Sequence, residues 1–306
     1  MAGGGTGGTG ISTGAISGFG SVVMDGTHFY TDDAVSPGFV TKKVARGQDH
    51  SKSRDRDLFS VGMVVSIHHS PADNNATEIE YAPNLTGPVA SKSPGAEPVI
   101  VVLGRSVVVD NAALFASINT GNVVEISGFV DSFGRIRATF IESIRPVPAV
   151  GDTFETKGFL SGLSPSGNTF KLGSLPDGAG ETVTVSCPPG AFGGFPAGPA
   201  DGMYVQAVTT DAQPSGGMIT AAVVNPFAAR TDFPEGADVD LDALVTRIGS
   251  RSGSAVSFDL EGKAVRTDGN TVFVGGTADD IQPDKRAQVH GKMTGGVLQA
   301  DKVLFR

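Results

Sequence analysis

The chain has 306 residues, a formal net charge of −9, 39% hydrophobic residues, 43 glycines and one cysteine, Cys187. That length suits two or more small domains, and the acidity disfavours nucleic acid as a partner, because neutralised phosphates supply most non-specific affinity of that kind. A single cysteine excludes an intrachain disulfide, a CxxC zinc site and CxxCH haem attachment, and no apolar run reaches the ~20 residues of a membrane-spanning helix.

Residues 1–10, MAGGGTGGTG, read as a flexible glycine-rich leader. They have neither the charged n-region nor the apolar h-region of a signal peptide. They also lack the preceding strand and the Gly-Lys-Ser/Thr of a phosphate loop. From residue 11 onward, helix-forming stretches are scarce, while Val, Ile, Thr and Phe abound, which predicts an all-β fold.

MDGTHFYTD at 24–32 reads as a tight glycine turn entering a strand, and it recurs as LGRSVVVD (103–110), AGETVTVS (179–186) and LEGKAVRTD (260–268). A second signal follows each copy: VGMVVSIHH, TGNVVEISG, ADGMYVQAV and PDKRAQVHG align through Gly62, Gly121, Gly202 and Asp284. Their apolar positions alternate with Ser66, Glu125, Gln206 and Gln288, the pattern of half-buried strands. A third signal, Gly-x-[Ile/Leu]-x-Ala-x-x-[Val/Ile], places Ala138, Ala221 and Ala300 in later copies, and the first copy keeps Ala76 and Ile79.

Each unit therefore reads as a three-strand meander, a variable connector and a two-strand hairpin. That predicts four tandem small five-stranded OB-like barrels, at 11–82, 83–148, 149–229 and 230–306. The competing arrangement is a pair of larger β-sandwiches, each made from two units. The segment GTGISTGAISGFGSVVMDGTHFYTDDA, with VGMVV and the glycine-rich hairpins, resembles bacterial envelope proteins built from an OB-like domain of unknown function. The resemblance implies export, with a periplasmic or cell-surface location and a lipid anchor on a native N-terminus. It implies no catalytic residues and no cofactor.

The first connector, 36–59, is a mixed-charge insertion in an acidic chain and reads as a solvated loop. Its Lys42, Lys43, Arg46, Lys52, Arg54 and Arg56, together with Tyr30 on the third strand, form the expected ligand-binding set. The third connector holds Phe192 and Phe195, expected to cap a barrel end, and Cys187 shares the parity of Val183 and Val185, expected buried. DVDLD at 238–242 is acidic but lacks the spacing of a calcium loop.

The expected function is a non-enzymatic envelope module that binds or assembles with a protein or glycan. The alternative is a metal- or small-ligand site, open to enzymatic use, built from His28, His50, His68 and His69. Against it, His68 and His69 are adjacent on one strand and point to opposite faces.

Overall fold

The computed structural model describes residues 10–33, 39–164, 166 and 168–306. Residues 1–9 of the leader and 36–38 of the charged insertion fall outside the described residues. The chain divides into two compact units, one made of residues 1–82 with 230–306, the other of residues 83–229.

The first unit begins with β1 (Gly10–Phe19), β2 (Val22–Met24), β3 (Thr27–Phe29), β4 (Lys42–Ala45), β5 (Gln48–Asp49), α1 (Asp55–Leu58), β6 (Val64–His69) and β7 (Ala76–Tyr81). β1 pairs antiparallel with β2 and β6, β2 with β3, and β6 with β7. A parallel bridge from Tyr30 to Asn75 joins the end of β3 to the start of β7. β4, an extra strand, extends the sheet parallel to β7.

In the second unit, β8 (Leu85–Ser93), β9 (Val99–Val102), β10 (Arg105–Val108), α2 (Ala112–Ser117), β11 (Val123–Val130) and β12 (Ile136–Arg145) come first. Their pairing runs β8–β9–β10–β12–β11 and back to β8, with only β10 and β12 parallel. β13 (Phe154–Ser161), β14 (Thr169–Gly173), β15 (Thr182–Ser186), β16 (Tyr204–Thr209) and β17 (Met218–Pro226) repeat that circuit. These are two small closed five-stranded OB-like barrels, and closure leaves no free sheet edge in either circuit.

Returning to the first unit, β18 (Asp238–Ser252), β19 (Ala255–Leu260), β20 (Lys263–Arg266), β21 (Val272–Val274), β22 (Arg286–Thr294) and β23 (Val297–Phe305) follow the same strand order, with β21 added beside β23. Strand pairing also runs between circuits. Parallel partners from Gly10↔Asp238 to Thr13↔Leu241 join β1 to β18, and Glu155↔Thr86 and Thr156↔Leu85 join β13 to β8. The first circuit thus pairs with one over 200 residues away in sequence.

Three of the four recurrent turns have one backbone explanation, and the third copy differs, with residues 174–181 joining β14 to β15. Asp25–Gly26, Leu103–Gly104 and Glu261–Gly262 all have positive φ, at 48° and 83°, 48° and 77°, and 47° and 81°. Two successive left-handed residues make a type I′ hairpin, whose twist matches the flanking strands. The second signal behaves alike: Gly62, Gly121 and Gly202 lie at φ 92°, 92° and 86°, and Asp284, which stands in place of glycine, lies at 66°.

The alanine signal marks a bulge. Register shifts fall at His68/His69, Ser127/Gly128, Val208/Thr209 and His290/Gly291, where the second strand of each hairpin carries one extra residue, Thr77, Thr139, Ala222 and Asp301; beside it Ala76, Ala138, Ala221 and Ala300 face His69, Gly128, Thr209 and Gly291. The backbones come very close there. A Cβ on Gly128 would lie 2.1 Å from the Arg137 carbonyl oxygen, and one on Gly291 would lie 2.0 Å from that of Gln299.

The barrel cores follow strand alternation. Leu85, Val107, Val124 and Ile126 bury in one, and Leu172, Val183, Val205 and Ala221 in the other. Each large aliphatic side chain so buried contributes about 1.5–3 kcal/mol. Cys187 is buried in the second of these cores, and Phe192 and Phe195 pack against it, as their placement in sequence leads one to expect. Arg105 is the exception. Its side chain is buried, Nη2 donates to Ser174 Oγ, and Nε and Nη1 find no acceptor among the described residues.

Two expectations follow. Gly291→Ala must displace the Gln299 carbonyl and should lower stability by about 2 kcal/mol or more, read as a reduced denaturation midpoint. Arg105→Met removes an uncompensated buried cation and should leave stability unchanged or raise it by about 1–4 kcal/mol in the same assay.

Candidate functional site

From residue 39 onward the charged connector folds into β4, β5 and α1 rather than a solvated loop, and the reason lies in its alternation. Along β4, Thr41, Lys43 and Ala45 share the inward face, whereas Lys42 points outward and meets Glu78 at 2.7 Å. Lys43 is fully buried, which withdraws it from the expected docking set. Its ammonium donates to the Ser53 carbonyl at 2.9 Å and forms ion pairs with Asp32 Oδ1 and Asp55 Oδ1, each at 2.9 Å, with Asp33 at 3.5 Å. Burial pulls the ammonium pKa down, and the hydrogen bonds to Asp32 and Asp55 outweigh it, so the net direction is up.

The carboxylates are tied down in turn. Thr31 Oγ1 donates to Asp55 Oδ2 at 2.5 Å, and the Asp55 amide donates to Asp33 Oδ2 at 2.7 Å. Asp32, Asp33 and Asp55 bring carboxylate oxygens within 4.8 Å of one another, the spacing of a metal site. The cation between them is the Lys43 ammonium itself. The cluster pins α1 and β4 to the end of β3, and so shapes the surface that the remaining cations occupy.

Those cations and Tyr30 are exposed. The Arg46 guanidinium lies 5.5 Å from the Tyr81 ring centroid, and Arg56 lies 6.0 Å from that of Phe19 while donating to the Phe19 carbonyl. Lys52 and Arg54 flank the entry to α1, and His28 stacks near Tyr30 with ring centroids 6.5 Å apart.

The histidines are not gathered. His28 Nδ1 pairs with Ser21 Oγ at 2.9 Å, and the His50 amide donates to the Lys43 carbonyl. His68 sits opposite Glu78, and His69 Nε2 lies 3.0 Å from Ser12 Oγ with its ring against Phe29. Burial lowers the His69 pKa. Among the described residues, no group of three metal-ligating side chains includes a histidine. The site expected from His28, His50, His68 and His69 therefore does not form: they lie at separate places on the barrel wall and connector.

A second polar site was not anticipated. Ser12, Thr13, Met24, Asp25, Thr27, Phe29, Asp240, Asp242 and Gln288 line a small pocket beneath the β2–β3 turn. Arg286 grips Asp242 with Nε to Oδ1 at 2.9 Å and Nη2 to Oδ2 at 2.6 Å, and also reaches Asp25 Oδ1 at 3.3 Å. Two of its acids belong to DVDLD, whose alternation sends Asp240 and Asp242 to the same face of β18. Sequence shows that parity but not that the turn from residues 24–27 lies across it.

Two stretches of the chain, residues 86–142 and 244–303, match one family model, described as a domain of unknown function (DUF5666). They fall on the β8–β12 barrel and on the β18–β23 circuit. These two stretches, rather than the whole chain, are similar to that family, and each lies within an OB-like circuit of strands. No curated protein matches. Among solved structures, "drosophila Unr CSD456" is similar at 10% identity over 68% of this chain and 90% of that one, with a TM-score of 0.20, too distant for any transfer.

Lys43→Met strands three carboxylates in one partly buried site. It should cost about 3–5 kcal/mol of stability, measured by chemical denaturation, whereas Lys42→Met at its exposed pair should leave the denaturation midpoint nearly unchanged.

Proposed function

We propose that the chain is four tandem copies of one OB-like unit and works as a non-enzymatic binding or assembly module of a bacterial cell envelope, taking an acidic glycan or protein as partner. The four-copy reading is supported by a bulge at four aligned places, each with its extra residue directly after an aligned alanine. The envelope location rests on the sequence resemblance to exported proteins.

The observation that carries the binding reading is the first connector. It presents Arg46, Lys52, Arg54 and Arg56 on a surface held in shape by a buried ion cluster, beside the exposed Tyr30 and His28. A rigid cationic surface loses less entropy on binding than a mobile loop. In an otherwise acidic chain it favours a partner of opposite charge. Outer-surface strands and adjoining loops are where OB-type barrels bind ligands in general, an argument from fold that the exposed residues make specific.

Binding to immobilised polygalacturonate, with neutral dextran as control, tests the reading. Replacing Arg46, Lys52, Arg54 and Arg56 together by Ser should weaken the dissociation constant roughly tenfold or more, the sum of several exposed charge contacts. It should also flatten the salt dependence. Undiminished binding by the variant removes the connector from the binding surface.

A further inference from the structure

In each copy, the residues two and four places after the turn glycine sit on the face of the third strand that points away from the core. After Gly104 these are Ser106 and Val108, after Gly180 Thr182 and Thr184, and after Gly262 Ala264 and Arg266. None of them carries a ring. After Gly26 they are His28 and Tyr30, both exposed, with ring planes 24° apart and centroids 6.5 Å apart. Two residues of a strand span about the same length, roughly 6.5 Å. The near-parallel rings thus stand one strand repeat apart, and neither covers the other's face.

Both rings are held in place. His28 Nδ1 pairs with Ser21 Oγ at 2.9 Å. The Tyr30 amide donates to the Asn74 carbonyl at 3.0 Å, and its own carbonyl accepts from the Ala76 amide at 2.8 Å. Positive charge comes to the same end of β3. Asp55 accepts from Thr31, the residue after Tyr30, and Arg54 and Arg56 flank Asp55 in sequence. Arg56 also donates to the Phe19 carbonyl at 3.2 Å, and one strand separates Phe19 from β3, through the partners Phe19↔Val22 and Val22↔Phe29. The nearby acids are already engaged: Asp32, Asp33 and Asp55 with Lys43, and Asp73 with Asn75.

We propose that the His28–Tyr30 face of β3 is the subsite that stacks the pyranose rings of an acidic polysaccharide, whose carboxylates meet the cations of the connector. The inference rests on the connector being an acidic-glycan surface and names what lies beside it to grip the sugar. A pyranose offers apolar C–H faces bordered by hydroxyls. Tyr and His match it, since each joins an apolar ring face to a polar edge. Single-stranded nucleic acid also stacks on aromatic rings. Its affinity comes chiefly from neutralised phosphates, however, and the net charge of −9 opposes that. Ring stacking supplies a share of affinity that does not depend on charge.

Titration calorimetry of the full chain with oligogalacturonate, at several salt concentrations, tests the subsite. The work is done at pH 8, where an ordinary histidine is neutral. Replacing His28 and Tyr30 together by Ala should raise Kd roughly tenfold at every salt concentration. The slope of log Kd against log salt should stay unchanged, because the lost contacts are uncharged. Tyr30→Phe keeps the ring and should keep most of the affinity. Both side chains are exposed, so the denaturation midpoint of the double variant should move little. Full affinity in the double Ala variant would overturn the subsite and leave the connector reading standing. Affinity lost with the rings but kept by the fourfold Ser variant would overturn the connector reading alone. No binding by the unmodified chain would overturn both. Ring-dependent binding of oligothymidylate that is tighter than that of oligogalacturonate would overturn the assignment to a glycan.

Discussion

A sheet of five short strands closes on itself only where a strand pair bends sharply, and here the bend is a bulge in the hairpin that completes each circuit. At Gly128 and Gly291 the two backbones approach so nearly that no Cβ fits. The extra residue increases local twist and turns the strand toward its parallel partner. Everything else rests on that closure. The parallel contact of β10 with β12, or β15 with β17, can form only once the hairpin has curved. The filled interiors follow from it, because alternate residues then face a single enclosed core.

Buried charge is handled in three ways in this chain. Lys43 is ion-paired with Asp32 and Asp55 and donates to the Ser53 carbonyl, so its charge fixes the connector. Asp242 is gripped by Arg286, whose guanidinium also reaches Asp25, and burial pushes its carboxyl up to about 7. Arg105 has one hydrogen bond for five N–H hydrogens, and burial lowers its pKa without a carboxylate bound to it. The energetic consequences differ accordingly: the first site is rigid, the second responsive, and the third a cost that the surrounding core offsets.

The local geometry was legible because it is written locally. A glycine that needs a left-handed backbone, an alanine that faces a bulge and alternating valines all leave their mark within a few residues. The inward direction of Lys43 was legible too, since Thr41 and Ala45 share its parity, but charge outweighed parity in judging the connector. What could not be read was partnership. Nothing in GISTG at 10–14 says that it will lie beside DVDLD, because parallel pairing depends on matching surfaces made elsewhere. The acid pocket, the separation of the histidines and the ion cluster joining residues 32, 33, 43 and 55 all follow from such distant choices.

The pairing of β1 with β18 also orders events in time. At roughly 5–20 residues per second, a ribosome needs on the order of ten to thirty seconds to make residues 83–229, which form a unit by themselves. Throughout that interval the β1 edge from Gly10 to Thr13 waits for a partner not yet synthesised. The middle of the protein is thus complete before its two flanks can meet, and any factor that holds the nascent N-terminal segment unpaired guards the strand edge from pairing with the wrong chain.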